Sequence, residues 1–310
     1  MARMYYALQS VQFNGPSNGS QIFYGVQSIG ASSQSDRTPV FQLGQLGTYS
    51  SYSTDDSPVE ITISKQLDGQ ALLYETLLGN NSVGFREGEP DCSIQFNFWD
   101  NPGEASGSAA ASPISSLYMP EYTISSVTYT FEADGVATEE VTLIGDALST
   151  TTADAAVYLS VESGCAPALA TRAAIKEVDG GSPLGYQSIS FTYTKNIESL
   201  YSLGKFKNVE RYVSYPTECT IDITKDVLSI GQLGDSTSET AGSCTGATGS
   251  CGGGDFSVEL CDGTIIRAGN TVVTSQSYQG GDTGGGQLQF VESLSSWDDF
   301  TVTGPLSARL

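Results

Sequence analysis

The chain has 310 residues and a formal net charge of −22, from 35 acidic and 13 basic side chains. A surface this negative repels phosphate, and no cluster of Lys or Arg is present to release counterions, so tight or sequence-specific nucleic-acid binding is disfavoured. The acidity keeps an abundant protein soluble, or it lines a channel through which DNA slides without sticking, and charge alone leaves both interpretations open.

The absence of histidine excludes several kinds of site. Ser-His-Asp and Cys-His catalysis need this residue, as do His-containing metal sites. Two carboxylates could still hydrolyse a glycoside, but among 35 acidic residues such a pair is inevitable and therefore uninformative. A calcium site in the acidic loops stays open, although no EF-hand spacing supports it. We predict no enzymatic activity, no catalytic residue, no cofactor and no metal site.

The first residues, Met1–Tyr6, contain no basic segment followed by an apolar stretch and run directly into a predicted strand. No stretch approaches the roughly 18–20 apolar residues that span a bilayer, so we expect a protein made in a cytosol without a membrane partner. Abundant Tyr, Phe, Ile, Val and Thr, interrupted by 35 Gly, predict a mainly β fold with short strands.

An internal repeat organises the chain. A shift of 160 residues aligns residues 25–65 with 185–225 without a gap and gives ten identities in 41 positions. A weaker match at a shift of 164 sets Cys92–Phe96 against Phe256–Leu260, both alternating as half-buried strands do. We therefore predict two tandem β-sandwich or barrel domains related by duplication. The predicted boundaries are residues 1–155 for copy one, 156–182 for a linker and 183–310 for copy two.

In copy one, Ser57–Lys65 is a predicted strand, and Asp68–Leu78 is a predicted short helix that its first residue caps and Gly79 ends. Copy two has no equally good helix, because Gly231 and Gly234 interrupt the corresponding stretch.

The clearest predicted hairpin is Ile124–Asp146, with Thr271–Val291 as its looser counterpart in copy two. Apolar residues alternate along both of its strands, and an Asp-Gly pair supplies the turn. These alternating and turn residues are Val127, Tyr129, Phe131, Asp134, Gly135, Val141 and Leu143.

The segment Ser126–Gly145 resembles a hairpin of bacteriophage tail tube proteins, with an aromatic strand, an Asp-Gly turn, an acidic residue and an apolar strand that ends in Gly. Met1–Gln9 is similar to the starts of phage virion structural proteins. Three further segments are similar as well: Phe41–Gly44, Ile61–Asp68 and Gly280–Gly286. The similarities touch both predicted domains and cover about half of the chain in short pieces.

This resemblance implies a small β-sandwich or barrel with one flanking helix, whose subunits close side by side into rings that stack into a tube. Most such proteins contribute one domain to a six-membered ring. This chain carries two, so a homo-oligomeric trimer with pseudo-sixfold symmetry would restore the count. Extended hairpins bridge neighbours in such walls, which makes Ile124–Asp146 the candidate assembly hairpin.

The resemblance also implies a location and partners. The expected location is the virion tail, after assembly in the cytoplasm of the host cell. Other copies of the chain are the main partner, with a tail sheath or other tail proteins as further candidates. DNA would pass through an acidic lumen without specific binding.

Two alternative functions stay open. Another virion component, such as a tail tip, a baseplate protein or a capsid decoration, would form a ring or trimer but no long tube. A carbohydrate-binding or lytic β-module would carry an aromatic patch and bind its ligand as a monomer. The two tryptophans, Trp99 and Trp297, lie in different predicted domains, which weakens the second alternative.

The six cysteines fit a reducing compartment. Cys92 and Cys219 alternate in phase with apolar neighbours and are predicted to be small buried residues. Cys244 and Cys251 lie in a Gly-rich loop. We expect free thiols there, with a loop disulfide or a metal site as alternatives.

Overall fold

In a computed structural model of the chain, the described residues are 9–15, 19–33, 37–44, 46–53, 58–78, 93–98, 115–146, 148–150, 169–204, 210–226, 254–280, 288–297 and 300–305. The fold of these residues is mainly β, as predicted. No helix among them is long and apolar enough to cross a membrane.

In the first half, the described residues form ten strands and the helix α1. They are β1 (Gln9–Gly15), β2 (Gly19–Ile22), β3 (Val26–Ser33), β4 (Arg37–Phe41), β5 (Thr48–Ser53), β6 (Val59–Gln66), α1 (Leu73–Leu78), β7 (Ser93–Phe98), β8 (Ser115–Pro120), β9 (Tyr122–Glu132) and β10 (Thr138–Gly145). The second half opens with a 3-10 turn. Its elements are that turn (Arg172–Ala174), β11 (Ile175–Val178), β12 (Tyr186–Leu200), β13 (Glu210–Asp226), β14 (Phe256–Leu260), β15 (Ile265–Ala268), β16 (Val272–Gln279), β17 (Gln289–Ser296) and β18 (Phe300–Thr303).

An eight-stranded antiparallel sheet, called the central sheet below, runs through both halves in the order β3-β6-β10-β9-β12-β13-β17-β16. Two four-stranded sheets accompany it, β2-β1-β7-β8 and β11-β14-β15-β18. Strands β4 and β5 pair with each other in a separate hairpin. Sheet hydrogen bonds therefore cross between the two predicted domains, and the division into two domains stays a prediction.

Alternation of apolar and polar residues gives the central sheet one covered face and one open face. On β6, Ile61 and Ile63 are fully buried, and they lie opposite Leu143 and Val141 of β10, which are also fully buried. Thr62 points the other way. A period of two therefore builds the core from one side of each strand.

The covered face packs against α1 and the smaller sheets. The rings of Phe191 on β12 and Phe256 on β14 lie 5.7 Å apart between centroids. At the end of β10, a β-carbon on Gly145 would collide with the side chain of Met119 on β8. Glycine at that position therefore allows one of the smaller sheets to approach the central sheet.

The predicted linker, 156–182, is only partly described. Residues 151–168 lie outside the described ranges, whereas Ala170 is buried and joins the core of the first half. Its backbone N–H donates to the carbonyl of Leu67, and its carbonyl accepts from the N–H of Ala137, each at 2.8 Å. The C-terminal part of this segment is thus packed structure.

The predicted helix begins five residues later than expected. The helix α1 starts at Leu73, and Asp68 does not cap it. Instead, the Asp68 carboxylate accepts from the backbone N–H of Gln70 at 3.2 Å and pairs with Lys65 at 3.3 Å. The error arises because a local Asx turn and an N-cap have the same sequence signature. Gly79 and the copy-two stretch with Gly231 and Gly234 lie outside the described residues.

Cys219 is buried, as predicted, and its thiol is free. Burial raises the pKa of this thiol to about 12. Cys92, Cys244 and Cys251 lie outside the described residues.

Phe131 on β9 is 2% exposed and lies on the covered face. We expect Phe131→Ala to lower the free energy of unfolding by about 3–5 kcal/mol, because the substitution leaves a cavity in the core. Thermal and denaturant melting would measure the change. Thr130→Ala, on the open face of the same strand, is the matched control. Equal stability of the two variants would contradict this placement of Phe131.

Candidate assembly interface

The two halves of the chain meet where β9 pairs with β12, over Ser126–Glu132 and Ser188–Thr194. We call these fourteen residues the seam. Phe131 lies opposite Ile189 and Tyr129 lies opposite Phe191, and all four side chains are buried. The seam is therefore an antiparallel strand pairing with a fully packed apolar side.

An aromatic cluster beneath the seam joins elements from both halves. Tyr193 of β12 stacks on Phe300 of β18 at 4.8 Å between ring centroids, and Tyr74 of α1 lies 6.0 Å from Phe300. The ammonium group of Lys195 lies 5.2 Å from the ring centroids of both Tyr74 and Tyr193. Burial lowers the pKa of Lys195 to about 7. Ring contacts and a desolvated amine thus hold α1, β12 and β18 together.

The N-terminus of α1 is capped from a distant strand. Glu139 of β10 is fully buried, and its carboxylate accepts from the backbone N–H groups of Leu73 and Tyr74, each at 2.8 Å. The same carboxylate accepts from the hydroxyl of Tyr129 at 2.7 Å. Lys65 is the residue opposite Glu139 in the β6–β10 ladder. Burial raises the pKa of Glu139, while these hydrogen bonds and the charge of Lys65 favour its ionised form.

We expect Glu139→Gln to lower the free energy of unfolding by about 2–3 kcal/mol. An amide has one acceptor oxygen instead of two, and its NH₂ group would face a backbone N–H at the helix end. Chemical denaturation at neutral pH would measure the loss. Glu140→Gln is the matched control, because Glu140 is exposed on the opposite face of the same strand and its replacement should change stability by less than about 0.5 kcal/mol. Equal losses in the two variants would contradict the capping role.

The predicted assembly hairpin lies inside the central sheet. Val127, Tyr129, Phe131, Val141 and Leu143 are all buried. Strand β9 pairs with both β10 and β12, and β10 pairs with both β9 and β6, so neither strand has a free edge.

The turn of this hairpin, with Asp134 and Gly135, is its accessible part. The Asp134 side chain is 98% exposed and lies 3.7 Å from Arg172. At that exposure the ion pair contributes little. Whether the hairpin bridges subunits stays a prediction.

Strands matched by the 160-residue shift pair in the same register. Val26 pairs with Lys65 in the β3–β6 ladder, and Tyr186 pairs with Lys225 in the β12–β13 ladder. Both ladders contain an irregularity immediately after that pair. The backbone N–H of Gln66 donates to the Gly25 carbonyl at 2.9 Å, and that of Asp226 donates to the Gly185 carbonyl at 2.7 Å. The strand order within each half is also the same, although the duplication itself stays a prediction.

The outer strands of the central sheet, β3 and β16, each pair on one side only among the described strands. Both are eight residues long, and neither contains a charged residue or proline. Proteins usually protect an edge that must stay unpaired with Lys, Pro or short length. Sequence reasoning missed these edges, because an alternating pattern does not tell which strand ends a sheet.

Two hairpin arms extend beyond the paired core of the sheet. The first arm is the β4–β5 hairpin, and the second is the far end of β12 and β13, over Asn196–Leu200 and Glu210–Ser214. Their registers match, since Thr38 pairs with Tyr52 and Glu198 pairs with Tyr212.

Both arms expose large apolar side chains around their turns. Leu43 and Leu203 occupy matching turn positions and are fully exposed, each followed by a glycine with φ near +88°. The other exposed apolar residues are Val40, Phe41, Leu46, Tyr49 and Tyr52 on the first arm and its turn, and Leu200, Tyr201 and Tyr212 on the second arm and its turn. Clustered exposed apolar residues mark contact surfaces more often than isolated ones do.

The open face of the central sheet carries hydroxyl and carboxylate groups. Its exposed acidic residues include Glu60, Glu140 and Asp222, with Ser and Thr at most positions between them. Thr62 and Thr142 meet across strands with their hydroxyl oxygens 3.5 Å apart. Within the described strands of this sheet, no Lys or Arg lies on the open face.

A metal or carbohydrate site would need metal-ligating side chains or exposed aromatic rings among the described residues. Among them, no group of three or more Cys, Asp or Glu side chains could hold a metal ion. Trp297 is 55% exposed, while Trp99 lies outside the described ranges. Searches against models of known protein families and against curated protein sequences found no match.

Proposed function

We propose that this chain is the structural subunit of a phage tail tube and acts by self-assembly into stacked rings around an acidic lumen. The observation that carries this proposal is the open face of the central sheet, which bears acidic and hydroxyl side chains without a basic residue among the described positions. Phosphate would be repelled everywhere along such a wall and held nowhere. DNA can therefore move along it without binding.

The two faces of the sheet favour one side for the lumen of the proposed tube. The covered face carries α1 and the smaller sheets, as the contacts of Phe256 and Phe300 with the central sheet show. When a sheet curls, the bulkier layer fits on the longer outer circumference. The acidic open face then lines the inside, and the outer layers are available to a sheath or other tail proteins.

Three chains would give a barrel wide enough to enclose DNA. Three sheets of eight strands make a 24-stranded barrel. At a strand spacing of about 4.8 Å and a tilt of about 40°, the barrel is roughly 45–50 Å across between backbones. Inward side chains then leave a channel wide enough for a nucleic-acid duplex. A trimer with pseudo-sixfold symmetry is the assembly that we propose.

Negative-stain electron microscopy of the purified protein at rising concentration tests the proposal. We expect hollow rings and tubes, with threefold or sixfold symmetry in averaged end-on views. Rings without tubes would contradict the tail tube and favour another virion component, such as a tail tip or baseplate protein. Monomers at every concentration would contradict the proposal and favour a binding module.

The two hairpin arms supply the contact between stacked rings in this proposal. Their apolar turns are exposed on the single chain and occur at matching places in both halves, so each ring would present them at regular intervals. We expect the double substitution Leu43→Ser and Leu203→Ser to abolish tubes while rings persist, because the apolar area that drives stacking is removed. Electron microscopy would compare tube lengths at equal concentration.

Leu184→Ser is the matched control for the arm variant. Leu184 is 74% exposed but lies before β12, outside both arms. Its substitution should leave tubes intact. Tubes of normal length in the double arm variant would contradict the stacking role of the arms.

A further inference from the structure

We propose that β16 of one copy pairs with β3 of the next copy, in an antiparallel register that repeats the seam. This inference rests on the proposed function, since it names the surfaces that close the ring. It places Ala31 opposite Tyr278, Ser32 opposite Ser277 and Ser33 opposite Gln276. The partner is therefore a second copy of this chain, held by backbone hydrogen bonds.

The register follows from the strand equivalences of the two halves. Strand β12 corresponds to β3 through the 160-residue shift, so Thr192 corresponds to Ser32. The counterpart of β9 follows from a row of three paired residues in each half: Ile63, Val141 and Val127 in the first, and Ile223, Glu292 and Gln276 in the second. Strand β16 therefore corresponds to β9, with Ser277 in the place of Thr128.

Register shifts in the β9–β10 and β16–β17 ladders support this residue-by-residue correspondence. In the β9–β10 ladder the register shifts between Thr142 and Leu143, and Leu143 then pairs with Ile124. In the β16–β17 ladder the shift lies between Val273 and Ser275, where Leu294 pairs with Val273. The pair Leu143–Ile124 therefore corresponds to the pair Leu294–Val273, and the register shifts at the same position in both ladders. The seam pair Thr128–Thr192 then becomes Ser277–Ser32 between copies.

The directions of the two edges permit this pairing by rotation alone. Neighbours in the central sheet are antiparallel, and with eight strands the first and last run in opposite directions. A copy rotated about a ring axis thus brings its β3 antiparallel to β16 of its neighbour, as β12 is to β9 in the seam. Head-to-tail contacts of this kind form closed rings when the rotation closes.

The side chains on both edges fit a partner strand. Tyr278 is 45% exposed, whereas Tyr129 at the corresponding seam position is fully buried against its neighbours. On β3, Ile29 and Ala31 occupy the positions of Ile189 and Phe191, which are buried in the seam. The two edges thus carry seam-type apolar residues that the single chain leaves accessible.

Disulfide trapping in the assembled full-length protein tests the register. The double variant Ser32→Cys with Ser277→Cys places two thiols directly opposite each other, with α-carbons about 4.5–5.5 Å apart, within the reach of a disulfide. The matched control is Ser28→Cys with Ser277→Cys. It uses the same strands and residue types, but the thiols lie about 13 Å apart along the strands. A link within one chain is ruled out by roughly 30 Å of sheet between β3 and β16.

After mild oxidation, we expect covalent dimers and trimers on non-reducing gels for the Ser32/Ser277 variant, at least tenfold more than for the control or for the parent protein. The parent measures the background from native thiols such as the exposed Cys261. Mass spectrometry of the linked peptides would identify the two positions. Links in either single variant would show β3–β3 or β16–β16 pairing and overturn the inference.

Microscopy of the same samples before oxidation separates the inference from the proposed function. Rings without the Ser32–Ser277 link would overturn the edge pairing and leave the tail tube proposal standing. The link without rings or tubes would support the edge pairing and contradict the tail tube. The absence of both would overturn both.

Discussion

The hydrogen bonds of the seam make two halves of one chain into a single sheet. Each half contributes four strands to it, and β9 and β12 would each be a free edge without the other. Pairing them satisfies their backbone groups and buries Tyr129 and Phe131 against Phe191 and Ile189. The same pairing sets the position of the aromatic cluster beneath the seam. The unpaired edges of the sheet then lie on its outer strands, β3 and β16, which have no second neighbour among the described strands.

Buried polar groups fix how α1 docks on that sheet. Glu139 offers two acceptor oxygens to a helix end whose N–H groups would otherwise lie unpaired in the core. In the first half, Glu139 lies opposite Lys65. In the second half, Phe290 lies opposite Lys225 and so occupies the corresponding position. Phenylalanine cannot accept a hydrogen bond, so the second half has no equivalent cap at this position. Two ladders of the same register thus differ at the residue that caps α1.

Local patterns predicted much of the fold, and long-range contacts account for what was missed. Alternation along β6, β9 and β10 was sufficient to assign their buried faces, and the 160-residue shift aligned ladders that share one register. The predicted start of α1 was wrong because Glu139, which caps the helix, lies 66 residues from Leu73 in the chain. The seam, the free edges and the arms escaped prediction for the same reason, since strand neighbours and exposure depend on tertiary packing. The resemblance to tail tube proteins stays a prediction.

Among the described strands of the central sheet, the basic side chains lie on the covered face, whereas carboxylates occur on both faces. Lys65, Lys195 and Lys225 lie on the covered face, each beside a carboxylate or an aromatic ring. The open face retains carboxylates, including Glu60 and Glu140, with no basic partner on that face among the described strands. In the proposed ring, curling this face inward brings like charges closer together, so closure is opposed by a repulsion that salt screens. Hydrogen bonds at the edges and burial of apolar side chains there must outweigh it. An acidic wall is therefore stable only when the contacts that close it lie at the edges, away from the charge.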